Sequence, residues 1–388
     1  MSGLIVARLI TPDILGEFAK YRILTGYLGI GLVLIHAGFQ RNYLFYIGKG
    51  DNSEAIQIAS AAKWWYLFYS WIGTIVFVTL AVKNFHEHNY RAVIGWAAQI
   101  PALWVIIYGA YLQVLFRTSG HFRKLSYIKL STSIVYFLLL IFVKHFGYWG
   151  LASRYKVKNY VDVFLHQYFA PQKIKSVFNY QRLVKLAKVS IPLQMPSYID
   201  TYLLTATIGY FILVNIGERD LGIYTMATTI KGFMMVFNTS MSQIVTTKIS
   251  LKYGATEDIK ECLKYSSVPI FLIFIVTVAI SALFSIFIDH LITRFIPNYT
   301  DSIPVLQILI WMLPLSSLRM PFSLFGAALW YKTIIILRIL RTISCIIFIL
   351  YFQNNLIMIA WSIVLAEILF IFSGYGVLFN NIKNNTGR

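Results

Sequence analysis

The sequence predicts an all-α, polytopic membrane protein of about 11–12 transmembrane helices, arranged as two six-helix bundles related by a pseudo-two-fold along the membrane normal. Three observations predict it. Apolar runs long enough to cross a bilayer recur about every thirty residues along the whole chain. Basic residues collect on alternate connections. A short motif around Gly16 returns around Gly222, an offset of 206.

Composition agrees with this class. Hydrophobic residues make up 58% of the 388, and the mean hydropathy is +0.67. The 34 basic residues outnumber the 15 acidic ones, for a net charge of +19. On a membrane protein such an excess belongs to cytoplasmic loops facing anionic lipid headgroups, so no nucleic acid partner is implied. Cys262 and Cys345 lie in different segments with no metal-ligand spacing. They support neither a disulfide nor a metal site.

The elements follow in order. Ser2–Ile10 is apolar but too short to span, because a crossing takes about 20 residues at 1.5 Å each. It reads as the last turns of a helix that begins upstream. Eleven further spans are expected: Phe18–Phe39, Trp64–Val82, Ala92–Leu115, Tyr127–Phe146, Gly147–Tyr168, Ser190–Ile216, Leu221–Ile249, Val268–Ile288, Ile303–Ala327, Lys332–Phe352 and Leu356–Phe379. The connections are short, which leaves no room for a catalytic domain outside the membrane.

The loop charges test this map. With the short first segment counted as helix one, connections after even-numbered helices and the C-terminal tail carry nineteen Lys and Arg, among them Arg117, Arg123, Lys173, Lys175, Lys252, Lys260 and Arg388. Connections after odd-numbered helices carry six: Arg8, Lys83, Arg91, Lys144, Arg219 and Arg294. By the positive-inside rule the C-terminus lies in the cytoplasm. The sixth span, Gly147–Tyr168, holds Arg154, Lys156, Lys158 and Asp162. It must still cross, because otherwise every later loop changes sides and the bias collapses. It therefore faces protein or water on one side.

The repeat aligns Leu15-Gly16-Glu17-Phe18 with Leu221-Gly222-Ile223-Tyr224, each after a short acidic turn, and Gly48 with Gly254. It implies an N-terminal bundle over 1–170, with its first helix truncated, and a C-terminal bundle over 171–388. An even number of helices per half makes the repeats parallel, an arrangement in which transporters place the substrate path between halves.

No enzyme signature is present. The histidines are scattered, and His86 and His88 point apart at i, i+2. There is no phosphate-binding glycine loop, so the chain is not itself an ATP-driven pump. The informative residues are ionisable groups inside spans, which are costly in lipid. Arg22, Lys231, Arg319, Arg338 and Arg341 are the interior cations, and Asp200 and Glu367 the interior anions. Lys231 sits roughly 15 Å into its helix, near the midplane. Arg338 and Arg341 share a helix face at i, i+3. Asp200 with Lys231, and Glu367 with Arg338 or Arg341, could be ion pairs that fix helix packing. Yet five cations exceed two anions, and the surplus suits an anionic substrate whose phosphate oxygens Arg and Lys would hold. Asp200 and Glu367 are the candidate H⁺ or Na⁺ coupling sites.

Ala7–Phe18, Leu186–Pro192 with Asp200 and Leu221–Tyr224, and Phe295–Tyr299 followed by Ile303–Leu309 together resemble the Wzx-type polysaccharide flippases of the multidrug/oligosaccharidyl-lipid/polysaccharide exporter superfamily. The resemblance covers nearly the whole chain, through short motifs. It implies twelve helices around a cationic cavity, in the inner membrane of a bacterium. The implied cargo is an undecaprenyl-diphosphate-linked oligosaccharide repeat unit of O-antigen, capsular or exopolysaccharide synthesis. Membrane lipids, a polysaccharide polymerase and a chain-length regulator are the implied partners, with no cofactor. This chain departs from the pattern in its short first helix and its charged sixth helix. Two rivals remain. A cation-coupled multidrug antiporter of the same fold would need acidic residues for its cargo. A membrane-embedded polymerase would need a sizeable catalytic loop.

Overall fold

A computed structural model describes residues 2–256, 258–328, 330–352 and 355–385. They are almost entirely helical, and each of the eleven expected stretches is helical over most of its length. Arg388, expected in the cytoplasm, lies outside the described residues. The chain packs as two compact units. Unit 1 is 1–10 with 17–209, and unit 2 is 11–16 with 210–388.

In unit 1, α1 (Ser2–Leu9) precedes α2 (Pro12–Leu28), whose first turn belongs to unit 2. A 3-10 turn over Gly29–Leu32 and a bend then lead into α3 (His36–Gly48). The bend leaves backbone groups without helical partners. Ser190 satisfies two of them: its hydroxyl donates to Val33 O at 2.8 Å and accepts from Ala37 N at 3.1 Å. The residue that closes this break comes from α9 (Tyr180–Tyr198), which Leu186 also buries in the same core as Phe39, Tyr43 and Tyr66. The helix after the inter-bundle linker thus packs with unit 1, and the units part near Gly209, downstream of the 170/171 division drawn from the repeat.

The linker itself is strapped to α4 (Asn52–His86). Lys63 Nζ donates to Ile174 O and Ser60 Oγ to Lys175 O, both at 2.7 Å. Arg182 grips Glu54 through two contacts, one of them Nη2 to Oε2 at 3.0 Å. Next come α5 (Tyr90–Ile106) and α6 (Tyr108–Thr118), followed by α7 (Phe122–Leu138) and α8 (Leu140–Tyr168).

The charged sixth span is accommodated by a turn at Gly147, φ +52°, where a side chain would be strained. The chain doubles back there. Arg154 Nε donates to Tyr136 O at 2.7 Å, Lys129 Nζ lies 3.8 Å from Asp162 Oδ2, and Gly150 lies against the Phe142 carbonyl. These pairs are nested about the same turn, as in an antiparallel hairpin. The returning helix is amphipathic with its polar face inward. Arg154, Asn159, Asp162 and His166 are buried, while Val157, Tyr160, Phe164 and Tyr168 are exposed. That inversion is what a lipid-facing helix requires.

Unit 2 holds α10 (Leu204–Asn215) from Tyr210 on, α11 (Glu218–Thr256), α12 (Ile259–Phe295), α13 (Ile303–Leu309), α14 (Met312–Leu318), α15 (Ser323–Ala327), α16 (Tyr331–Tyr351) and α17 (Leu356–Asn385). The repeat glycines meet here. A Cβ on Gly16 would strike the Glu218 carbonyl and stand 2.9 Å from Gly222 N; one on Gly222 would strike the Pro12 carbonyl and stand 2.9 Å from Gly16 N. Pro12 and Glu218 are themselves one repeat apart. The contact is reciprocal under the 206-residue offset, as an isologous two-fold contact must be.

Seven helical runs among the described residues are long and apolar enough to cross a membrane, and two bent pairs pass the same test together. The large side chains left exposed on α12, such as Phe271, Leu272, Ile275, Leu283 and Phe287, form an apolar flank suited to lipid. The 39-residue α11 is long enough but is not among the seven, for a reason found in the site.

Candidate functional site

The tenth span is broken. Pro314 and Pro321 cannot donate to a helical ladder, and the chain runs α13, α14, a 3-10 turn Met320–Phe322, then α15. Arg319 sits at the break, as the residue that caps α14. Interrupted spans free backbone and side chains to line cavities.

Arg319 Nε lies 3.0 Å from Glu367 Oε1, and Arg341 Nη2 lies 2.7 Å from Glu367 Oε2. The Glu367 side chain is fully buried on α17, and Arg341 on α16 is 8% exposed. The guanidinium groups of Arg338 and Arg341 stand over the Phe370 ring at 5.3 and 5.8 Å. Lys231 on α11 feels the charges of Arg341, Glu367 and Arg319. Arg319 and Arg341 therefore meet on Glu367 inside unit 2, Arg338 stands beside Arg341 on the Phe370 ring, and Lys231 is near enough to feel the same charges.

The anticipated pairing of Glu367 with Arg341 is present, and Glu367 also takes Arg319. The carboxylate acting on Lys231 is Glu367. Asp200 lies in unit 1, half-buried on a π-helical turn, Ile199–Leu203, between α9 and α10. It is not without a partner. Arg22 is also in unit 1, exposed on α2, with its guanidinium 5.8 Å from the Tyr155 ring centre. Both thus belong to the unit that does not contain Glu367.

A polar cavity of about 630 Å³ opens beside the cluster, lined by Met235, Asn238, Thr239, Ser242, Gln243, Thr246, Ser316 and Arg319. It shares Ser242, Thr246, Ser316 and Arg319 with a neighbouring space of about 240 Å³, walled by Arg338, Phe322, Phe325 and Phe370. Most of the polar lining comes from α11, which is why that helix is too polar to register as a span. Asn238 is fixed by donating to Leu313 O at 2.7 Å and to the Ser316 hydroxyl; Ser317 Oγ donates to Asn238 Oδ1 at 3.3 Å. On the outer side of the same broken helix, Leu318 and Pro321 line an apolar groove of about 550 Å³ with residues of α12 and α17.

Attention to charge alone missed this neutral wall, although Asn238, Ser242 and Thr246 recur at i, i+4, i+8 in the sequence. It also missed the buried group of Asp162 and His166. There His166 Nδ1 lies 2.9 Å from Asp162 Oδ1, with Lys158 and Lys129 at 3.5 and 3.8 Å from Oδ2.

The family profile described as "Polysaccharide biosynthesis protein" matches residues 5–268, more than half of the chain. The chain belongs to this polysaccharide biosynthesis protein family. No curated protein matches it. Among solved structures, an inward-facing multidrug resistance MATE family transporter of the MOP superfamily is similar at TM-score 0.78 and 17% identity, over 99% of this chain and 93% of that one. An outward-facing MATE family transporter is similar at 0.62 and 17%, over 99% and 96%. A MOP superfamily transporter from Pyrococcus furiosus, described as having a binding pocket of reversed polarity, is similar at 0.62 and 17%, over 98% and 90%. At such identity the likeness shows the fold, which is that of MOP superfamily transporters.

Proposed function

We propose that this family member is a flippase. It moves undecaprenyl-diphosphate-linked oligosaccharide repeat units from the cytoplasmic to the periplasmic leaflet of a bacterial inner membrane, feeding O-antigen, capsular or exopolysaccharide synthesis. The observation that carries the reading is a basic cluster beside a polar cavity: Arg319 and Arg341 meet the buried Glu367, Arg338 stands with Arg341 over Phe370, and Arg319 and Arg338 line the cavity. A doubly charged diphosphate suits such a basic cluster, and arginine forks suit phosphate oxygens.

The apolar groove behind Leu318 and Pro321 supports a cargo with a lipid tail, since one broken helix walls both the groove and the polar cavity. A cationic drug would meet the wrong sign of charge at this cavity, which disfavours a multidrug antiporter. In this reading the C-terminus is cytoplasmic and the neighbours in the membrane are the polymerase and chain-length regulator. Asp200 and Glu367 are the candidate coupling carboxylates, and Arg22 is a further candidate cation for an anionic cargo.

The test is flipping in proteoliposomes loaded with fluorescent undecaprenyl-diphosphate-linked saccharide. Wild-type protein should expose the label to an outside quencher, and Arg319→Gln or Arg338→Gln should slow this by about ten- to hundredfold, the worth of one charge-assisted phosphate contact. Transport of a cationic dye in place of the saccharide lipid would refute the reading.

A further inference from the structure

The neutral wall of the cavity offers hydrogen-bond acceptors as well as donors, whereas the oxygens of a diphosphate call only for donors. Thr239, Ser242, Gln243 and Thr246 lie on one face of α11 at the i, i+3, i+4, i+7 spacing. Among the described residues no acidic side chain lines the cavity, and Arg319 is the charged one, in the part shared with the second space. The wall is held in register. Asn238, 2% exposed, is tied to Leu313 O and Ser316, Ser317 Oγ meets Thr277 Oγ1 at 3.2 Å, and so α11, α14 and α12 are pinned together behind the lining.

On the flippase reading above, we propose that this α11 wall is a saccharide subsite that takes the hydroxyls of the neutral sugar next to the anionic group. Three features fit a sugar. Hydroxyl and amide side chains both donate and accept, as sugar hydroxyls do, whereas phosphate oxygens mainly accept. The Thr239 hydroxyl already donates to Met235 O at 2.9 Å, so it faces the cavity with its acceptor lone pairs. The volume of about 630 Å³ is that of a small-molecule pocket. Thr239 and Gln243 line the larger space alone, Ser242, Thr246 and Arg319 line both, and Arg338 lines the smaller one with Phe322, Phe325 and Phe370, so hydroxyls stand beside cations. A glycosyl phosphate likewise carries a polyol beside an anion.

The experiment measures binding to the purified full chain in nanodiscs with two probes. One is undecaprenyl diphosphate, and the other is the same lipid bearing one N-acetylglucosamine. Wild-type protein should prefer the sugar-bearing lipid by about tenfold, the equivalent of two neutral hydrogen bonds. Ser242→Val combined with Thr246→Val should erase the preference while affinity for the bare lipid stays within about twofold. Thr246→Ser, which keeps the hydroxyl, should retain the preference. Arg338→Gln should weaken both probes together. If the double variant is poorly folded, Thr246→Val alone, compared with Thr246→Ser, reads the same loss in part. A preference that survives the valines, or valines that weaken both lipids equally, would overturn the subsite. Wild-type protein that binds both lipids alike also rejects the subsite and leaves the flippase reading standing. Failure to bind either lipid rejects both.

Discussion

Glu367→Gln isolates the charge of the one carboxylate in the unit 2 cluster while keeping its shape. The fully buried Glu367 receives Arg319 at 3.0 Å and Arg341 at 2.7 Å. The amide loses both charge-assisted contacts, each worth about 1.5–3 kcal/mol. The Arg319 share is discounted, because that side chain is 26% exposed and partly screened. Arg341 is 8% exposed and would be left as a buried charge without this counter-ion. Breaking a buried pair from one side costs about 3–5 kcal/mol, and the net expectation for Glu367→Gln lies in that range. The assay is the denaturant dependence of folded protein in detergent, followed by size-exclusion fluorescence. A second arm uses the double variant Glu367→Gln with Arg341→Gln, which also removes the buried charge that faced the carboxylate. It should recover part of the loss, so that the double variant is more stable than the sum of the single effects requires. Undecaprenyl diphosphate, added to the Glu367→Gln protein, should raise its stability more than that of wild type, because the ligand then supplies the absent negative charge. A Glu367→Gln protein as stable as wild type, or a double variant with strictly additive losses, would refute the view that this carboxylate holds the cluster together.

Gly16→Val and Gly222→Val should each destabilise by about 1–3 kcal/mol or more, by forcing apart two backbones that touch. Because the contact is reciprocal, the two effects should be alike and the double variant less than additive in the same detergent assay; unequal losses would contradict the two-fold contact. Gly147→Val should cost about 1–3 kcal/mol by straining the turn at φ +52°, and should show as reduced membrane accumulation, whereas a substitution at exposed Val157 should not. Cysteine placed at Lys175 should be labelled only after the membrane is opened, if the linker is cytoplasmic as its basic residues indicate. Labelling from outside intact cells would reverse the topology. Asp200→Asn should abolish dependence of flipping on an ion gradient if that carboxylate carries the coupling ion; unchanged gradient dependence in both Asp200→Asn and Glu367→Gln would place the coupling elsewhere.

Local composition alone specifies the class of the protein and most of its elements. Spanning a bilayer demands long apolar helices, and loop charge follows sidedness, so both are written along the chain. The sixth span was legible only through the charge map, because hydropathy reads the content of a helix and not its faces. Folding supplied the reason that Arg154, Asp162 and His166 can lie there: all three are buried, Arg154 and Asp162 against α7, while Tyr160 and Phe164 are left exposed. The repeat also marked Gly16 and Gly222 as equivalent, but their contact with each other required the fold. The candidate cations were legible one by one, since ionisable residues inside spans stand out. Their assembly was not. Lys231, Arg319, Arg341 and Glu367 come from α11, the α14 break, α16 and α17, and nothing local fixes which of them meet. Arg22 and Asp200 carried the same signal and lie in the other unit. The neutral cavity wall was least legible of all. Ser, Thr and Asn at helical spacing are ordinary inside membrane helices, where their hydroxyls return to the backbone, and only the broken tenth span turns that face of α11 into the wall of a cavity.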